Sequence, residues 1–237
     1  MPTCPQTLAQ RSLIIAAASA RSLAQSAVAA GFRVFCADCF GDKDLRELLE
    51  QSGGTYLGQL ADFDTWPQLL DSVPSEIPLL WAGGLENHPT ALAEVARTRR
   101  LLGLPFNIVH ALRQPEHLAH LFDAARSPRV QFPETWLQGL PGKGRWLWKP
   151  AGTSGGLGVQ QLTDELRLQL ADASSRAAGS FQREVDGLPC SVLVAADGHA
   201  ARIIGLSLLF SGWPELSASG FRFCGNLGPL ELPGRLA

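Results

Sequence analysis

Apolar positions in the first half of the chain come in short runs, each followed by a stretch with helical spacing. Residues 12–18 read as a buried strand, 21–30 as an alanine-rich helix ended by Gly31, and 32–37 as a second strand closing on Asp38. The same alternation continues with a helix over 44–51, a strand over 54–57, a helix over 63–73, a strand over 77–82 and a helix over 89–102. Elements alternating at these lengths predict an α/β domain with a doubly wound parallel sheet. In such a sheet the loop Ser19-Ala20-Arg21 and Asp38 lie at the carboxyl edge, where open sheets bind ligands. Gly83, Gly84 and Glu86 follow the fourth strand and reach the same edge.

The second half has a different grain. After a helical stretch over 115–125 and a proline-containing loop over 127–135, strands are expected over 145–150, 158–162, 180–185, 191–195 and 200–210. Glycine or proline separates most of them, which predicts a mainly antiparallel lobe. No internal repeat or low-complexity tract interrupts either half. The pattern divides the chain into an α/β substrate domain over 1–110, a helical linker over 111–142, a β lobe over 143–210 and the start of a further lobe over 211–237.

Composition narrows the function classes. With 46% hydrophobic and 18% charged residues the balance is globular, and a net charge of -2 gives no footprint for nucleic acid or an anionic membrane. The apolar stretch 13–20 is far shorter than the ~20 residues of a membrane span. It suits a buried strand running into a helix, or a secretory h-region with Arg11 as its positive flank; the unbroken periodicity that follows favours the strand. Cys4, Cys36, Cys39, Cys190 and Cys224 are odd in number and scattered, so they form no disulfide framework and fit a reducing cytoplasm. Cys36 and Cys39 make a C-x-x-C pair, either redox-active, half of a zinc site or incidental; no second pair completes a metal site. His117 and His120, one helical turn apart, are a metal-chelating pair or exposed helix histidines.

The segment with the most chemistry is Arg145-Trp-Leu-Trp-Lys149-Pro-Ala-Gly152-Thr153-Ser154-Gly155-Gly156-Leu-Gly158-Val159. A lysine at the end of an apolar strand precedes a loop with four glycines and two hydroxyl residues. Glycines let backbone N–H groups approach phosphate oxygens, and the lysine adds a point charge. A Walker A loop has its lysine after the glycines, and a Rossmann fingerprint opens a helix, so neither applies. A plain hairpin remains open on the loop alone. If the loop is instead a phosphate lid, it is expected to be mobile without nucleotide.

About twenty residues later comes Phe181-Gln182-Arg183-Glu184-Val185-Asp186-Gly187, and with it the chain resembles the ATP-grasp superfamily. That family combines a strand-lysine-glycine-loop hairpin with a Q/E-x-x-[VI]-x-G hinge. The Trp-Leu-x-Lys-Pro strand, the serine-glycine-glycine loop and the Gln-led hinge look most like a carboligase-like branch found beside methanopterin and methanofuran one-carbon genes, which includes tyramine–glutamate ligases. The resemblance implies a pre-ATP-grasp domain followed by an ATP-grasp lobe, with ATP and Mg²⁺ as cofactors. It further implies that Lys149 contacts the α- and β-phosphates and that Thr153, Ser154, Gly155, Gly156 and Gly158 close over the β- and γ-phosphates. Gln182 would accept from the adenine amino group, the backbones of Arg183 and Val185 would meet the adenine edge, and Glu184 would contact the ribose. Arg21, Glu86 and Asn226 fall on the substrate side. Arg222 would meet the γ-phosphate or an acyl phosphate, unless it pairs with Glu215 or Glu231 on the surface.

The activity so implied joins a small-molecule carboxylate to an amine through an acyl phosphate, in the cytoplasm, with a homodimer as an open assembly. The family's Mg²⁺ ligands, in an Asp…Glu-x-Asn order, have no counterpart before Ala237. A missing C-terminal lobe is therefore expected, the alternative being an inactive nucleotide- or partner-binding module. A dinucleotide oxidoreductase is disfavoured by the absent glycine fingerprint, and a serine hydrolase by the absence of G-x-S-x-G.

Overall fold

The computed structural model describes residues 11–125, 127, 129–171 and 178–231, so Cys4 and the closing residues 232–237 lie outside the described set. The chain divides into two compact units, 1–117 and 118–237.

The first unit is built on a five-stranded parallel sheet in the order β3-β2-β1-β4-β5. Its central strand β1, Ser12–Ala17, is buried at all six positions, as expected for a strand covered on both faces. It pairs in register with β2, Arg33–Asp38, from Ser12 opposite Arg33 to Ala17 opposite Asp38, and with β4, Leu79–Trp81. The edges are β3, Thr55–Gln59, and β5, Leu101–Leu102.

Because successive strand residues point to opposite faces, β1 feeds two cores. Leu13, Ile15 and Ala17 pack with Ala24 and Ala27 of α1, Arg21–Ala29, and with Leu45 and Leu49 of α2, Lys43–Gln51. Ile14 and Ala16 pack on the other side with Trp66, Leu70, and Leu92 and Val95 of α3, Pro89–Thr98. The sheet is thus doubly wound.

Two expected helices are shorter than predicted. The stretch 63–73 forms only a 3-10 turn, Trp66–Leu70, with Pro67 in its first turn. The helix predicted over 89–102 stops at Thr98, and Leu101–Leu102 pair with Leu79–Leu80 as a fifth strand. Two-residue strands carry too little pattern to be seen in sequence. Helices α4, Phe106–Leu112, and α5, Pro115–Ala125, follow.

The second unit holds two antiparallel sheets. Four strands run in the order β6-β9-β7-β8, namely Thr135–Trp136, Gly179–Arg183, Trp146–Pro150 and Gln160–Gln161. Trp146, Trp148 and Phe181 alternate onto one face and are covered by Leu166 of α6, Asp164–Ala171, with Leu140, Leu162 and Leu170 around them. Leu147, Lys149 and Gln182 necessarily take the opposite face. A three-stranded sheet, β10-β11-β12, comprises Cys190–Ala196, Ala201–Ser211 and Phe223–Leu227. Its long hairpin leaves Val192, Leu193, Val194, Ile203 and Ile204 exposed.

Candidate functional site

At the carboxyl edge of the parallel sheet, Asp38 is fully buried and its carboxylate ties three segments together. One oxygen accepts from the Ala20 amide at 3.2 Å. The other accepts from the Gly41 amide at 2.8 Å and from the Tyr56 hydroxyl at 3.2 Å. The edge forms where expected, but this carboxylate is committed inward and serves the loops. Burial, together with the charge of Asp38, pushes Tyr56 and the Cys36 thiol each up to about 12, and raises Cys39 as well. Burial thus favours the neutral thiol at both cysteines of the C-x-x-C pair.

Arg21 stands half-exposed at the start of α1 and reaches Asp44 at 3.3 Å and Asp42 at 3.8 Å. Glu86 accepts from the Gly84 amide at 2.6 Å and lies 3.8 Å from Arg113, which also donates to Asn87 at 2.6 Å. Arg113, the residue that ends α4, was not singled out by sequence; the helix before it buries no residue and so carries no strong pattern.

The second unit assembles the lysine, the glycine loop and the hinge. β7 and β9 are antiparallel neighbours, with Leu147 opposite Gln182 and Lys149 opposite Ser180. Lys149 and Gln182 are therefore diagonal neighbours on the polar face, and Lys149 Nζ donates to Gln182 Oε1 at 2.5 Å. Burial lowers the Lys149 ammonium below the ordinary lysine range. Gln182 Nε2 donates to Thr135 Oγ1 at 3.3 Å.

Between β7 and β8 the glycine loop turns back. Thr153 Oγ1 donates to the Pro150 carbonyl at 3.1 Å, while Ser154 and Gly158 are exposed. At the centre of the loop the Phe223 amide donates to the Gly155 carbonyl at 2.8 Å. Gly156 has φ +74°, and a Cβ there would lie 1.9 Å from the Phe221 carbonyl oxygen. Only glycine allows that approach. The contact sets Arg222, between Phe221 and Phe223, beside the loop. Arg222 is exposed, and among the described residues its guanidinium has no ion pair with Glu215 or Glu231. Asn226 is exposed on β12, opposite Leu209.

The rest of the hinge is partly engaged. The Arg183 amide donates to the Glu134 carbonyl at 2.8 Å. Its side chain lies 4.5 Å over the Trp146 ring and pairs with the Glu134 carboxylate at 3.0 Å. Glu184 accepts from Gln161 at 3.2 Å and sits 3.8 Å from Arg145, whereas Val185 is exposed. Among the described residues there is no group of three or more His, Cys, Asp or Glu side chains that could hold a metal ion. None of the described helices is long and apolar enough to cross a membrane.

No family model matches the sequence, and no curated protein matches it either. Solved structures do match. The N5-carboxyaminoimidazole synthetase of Staphylococcus aureus, complexed with ADP, superposes with TM-score 0.60 at 13% identity over 84% of this chain and 55% of its own. Phosphoribosylamine–glycine ligase of Thermotoga maritima gives TM-score 0.61 at 16% identity over 94% of this chain and 56% of its own. A protein of Archaeoglobus fulgidus described as belonging to the ATP-grasp superfamily gives TM-score 0.56 at 14% identity, over 93% of this chain and 66% of its own. The chain thus spans little more than half the length of the first two. It shares the α/β fold of these solved structures, which in this chain is a parallel five-stranded sheet followed by antiparallel sheets.

Proposed function

We propose that this chain binds ATP on the polar face of β7 and β9, under the glycine loop, and serves an ATP-dependent carboxylate–amine ligase. The observation that carries the reading is the convergence of Lys149 and Gln182 on one face beside a loop whose Gly156 has no room for a side chain. The fold likeness to ligases, one of them complexed with ADP, supports it.

In this reading Lys149 and the loop amides of 153–158 bind the phosphates, while Gln182, the main chain of Arg183 and Val185, and Glu184 take the adenosine part. A substrate carboxylate oxygen attacks the γ-phosphorus and ADP leaves, giving an acyl phosphate. An amine then attacks the carbonyl carbon and expels phosphate. Charge spreads over the phosphoryl oxygens in the first step, and Arg222 is assigned to offset it. Arg21, Glu86 and Asn226 are assigned to the substrates. ATP is used by such enzymes with Mg²⁺, and as no cluster of three or more His, Cys, Asp or Glu side chains occurs among the described residues, no step is assigned to the ion.

The finer placement, in the carboligase-like branch tied to one-carbon metabolism, rests on Trp-Leu-x-Lys-Pro, Ser154-Gly155-Gly156 and Gln182. The protein on this reading works in the cytoplasm on small molecules. Titration calorimetry with MgATP tests the site: Lys149→Ala should weaken binding by about 1.5–3 kcal/mol, the range for hydrogen bonds to charged groups. Equal affinity of the two proteins would remove Lys149 from the site.

A further inference from the structure

We propose that Thr135 sets the nucleobase preference of this site by holding the Gln182 carboxamide in one of its two orientations. The inference rests on the ATP reading above. Its basis is the direction of each hydrogen bond in a short series, Lys149 to Gln182 to Thr135 to Pro133.

An ammonium group only donates. The Gln182 atom 2.5 Å from Lys149 Nζ must therefore be the carbonyl oxygen, and the amide nitrogen must lie at the other end. There it meets Thr135 Oγ1 at 3.3 Å. A hydroxyl has one proton, and Thr135 gives its proton to the Pro133 carbonyl at 2.9 Å. Towards Gln182 it is left with lone pairs and can only accept. Thr135 also stands directly opposite Gln182 in the β6–β9 pairing, so the contact is fixed by register. A flipped amide would set its N–H groups against the ammonium and its oxygen against the hydroxyl lone pairs.

Lys149 and Thr135 enforce the same orientation in the free protein, but they do not share the task once nucleotide is bound. Phosphates compete for the ammonium of Lys149 in the proposed complex. Thr135 then remains as the group that keeps Nε2 turned away and Oε1 turned towards the base. An acceptor at that point matches the exocyclic amino group of adenine and repels the exocyclic carbonyl of guanine. Without Thr135 the amide is free to turn and offer a donor to guanine instead.

The test is titration of the whole chain with ATP and with GTP. The parental protein should prefer ATP by on the order of tenfold or more, the cost of facing a carbonyl with an acceptor. Thr135→Val, isosteric but without the oxygen, should bring the two affinities within about threefold of one another. Thr135→Ser should retain the preference. Thr135→Val combined with Gln182→Glu should restore it, because a carboxylate has no donor to present to guanine. That recovery separates the effect from simple damage to β6. An ATP-to-GTP ratio unchanged in Thr135→Val, whether or not both affinities fall, overturns the inference while leaving the Lys149 site intact. So does a parental protein with no preference. Nucleotide binding that ignores Lys149→Ala sinks the site reading and this inference with it.

Discussion

Lys149 and Gln182 are 33 residues apart in sequence and 2.5 Å apart at Nζ and Oε1. The pair exists because β7 and β9 run antiparallel, which brings one side chain from each to neighbouring positions on the same face. It also removes a difficulty, since a half-buried ammonium with no acceptor would be costly.

Breaking this pair from one side should be worse than removing it. Gln182→Leu strands the ammonium, whereas Lys149→Met with Gln182→Leu removes donor and acceptor together. Urea unfolding of the two singles and the double should give a coupling of about 1 kcal/mol. Additive effects would mean that the two groups do not stabilise one another.

Gly156→Ala places a Cβ against the Phe221 carbonyl at a positive φ, so the loop must lift from the strand it is tied to. The expected outcome is loss of protection from hydrogen exchange at the Phe223 amide and a stability cost of about 1–2 kcal/mol or more. Gly152→Ala is the control: its φ is also positive, at +68°, but nothing lies within 4 Å of its Cβ position. That variant should keep the Phe223 amide protected.

Asp38→Ala leaves the Ala20 and Gly41 amides without their acceptor and the Tyr56 hydroxyl with only the backbone carbonyl of residue 38, and should destabilise the protein by about 2–4 kcal/mol in urea unfolding. Tyr56, the only tyrosine in the chain, reports on the same network by its near-ultraviolet absorbance. Burial is the larger cause of its raised pKa and Asp38 the next, so Asp38→Asn should bring its titration down from about 12 only part of the way towards 10.0. A pKa raised in the folded state means the folded protein holds the proton longer. The contribution of neutral Tyr56 to stability is therefore complete below pH 10.0 and lost as pH rises through about 12.

Arg222→Lys keeps the charge and loses the planar fork. In a form of the protein with measurable ligase turnover, the rate should fall by about tenfold, on the order of 1.4 kcal/mol. Turnover at the parental rate would place Arg222 outside the reaction.

Much of this architecture was legible where a pattern is local. Six buried positions in a row at Ser12–Ala17 announce a central parallel strand, and a lysine before a run of glycines announces the loop between β7 and β8. Strands of two residues were not legible, because Leu101–Leu102 and Thr135–Trp136 become strands only through their partners. Thr135 was overlooked for that reason, and Arg113 because it follows a helix that buries nothing. Nor does sequence spacing say which donor faces which acceptor. Gln182 was expected to offer its oxygen to adenine, and the oxygen is turned to Lys149 in the free protein.

The distance along the chain between Lys149 and Gln182 has a thermodynamic corollary. An unfolded chain holds half of the proposed site in each of two remote segments, and closing the intervening loop costs entropy before any contact is made. Nucleotide would then recognise the folded lobe and not its unfolded ensemble, so mass action would tilt the folding equilibrium. At a hundredfold excess over the dissociation constant the gain is about 2.7 kcal/mol. The melting temperature of the second unit becomes a gauge of nucleotide concentration.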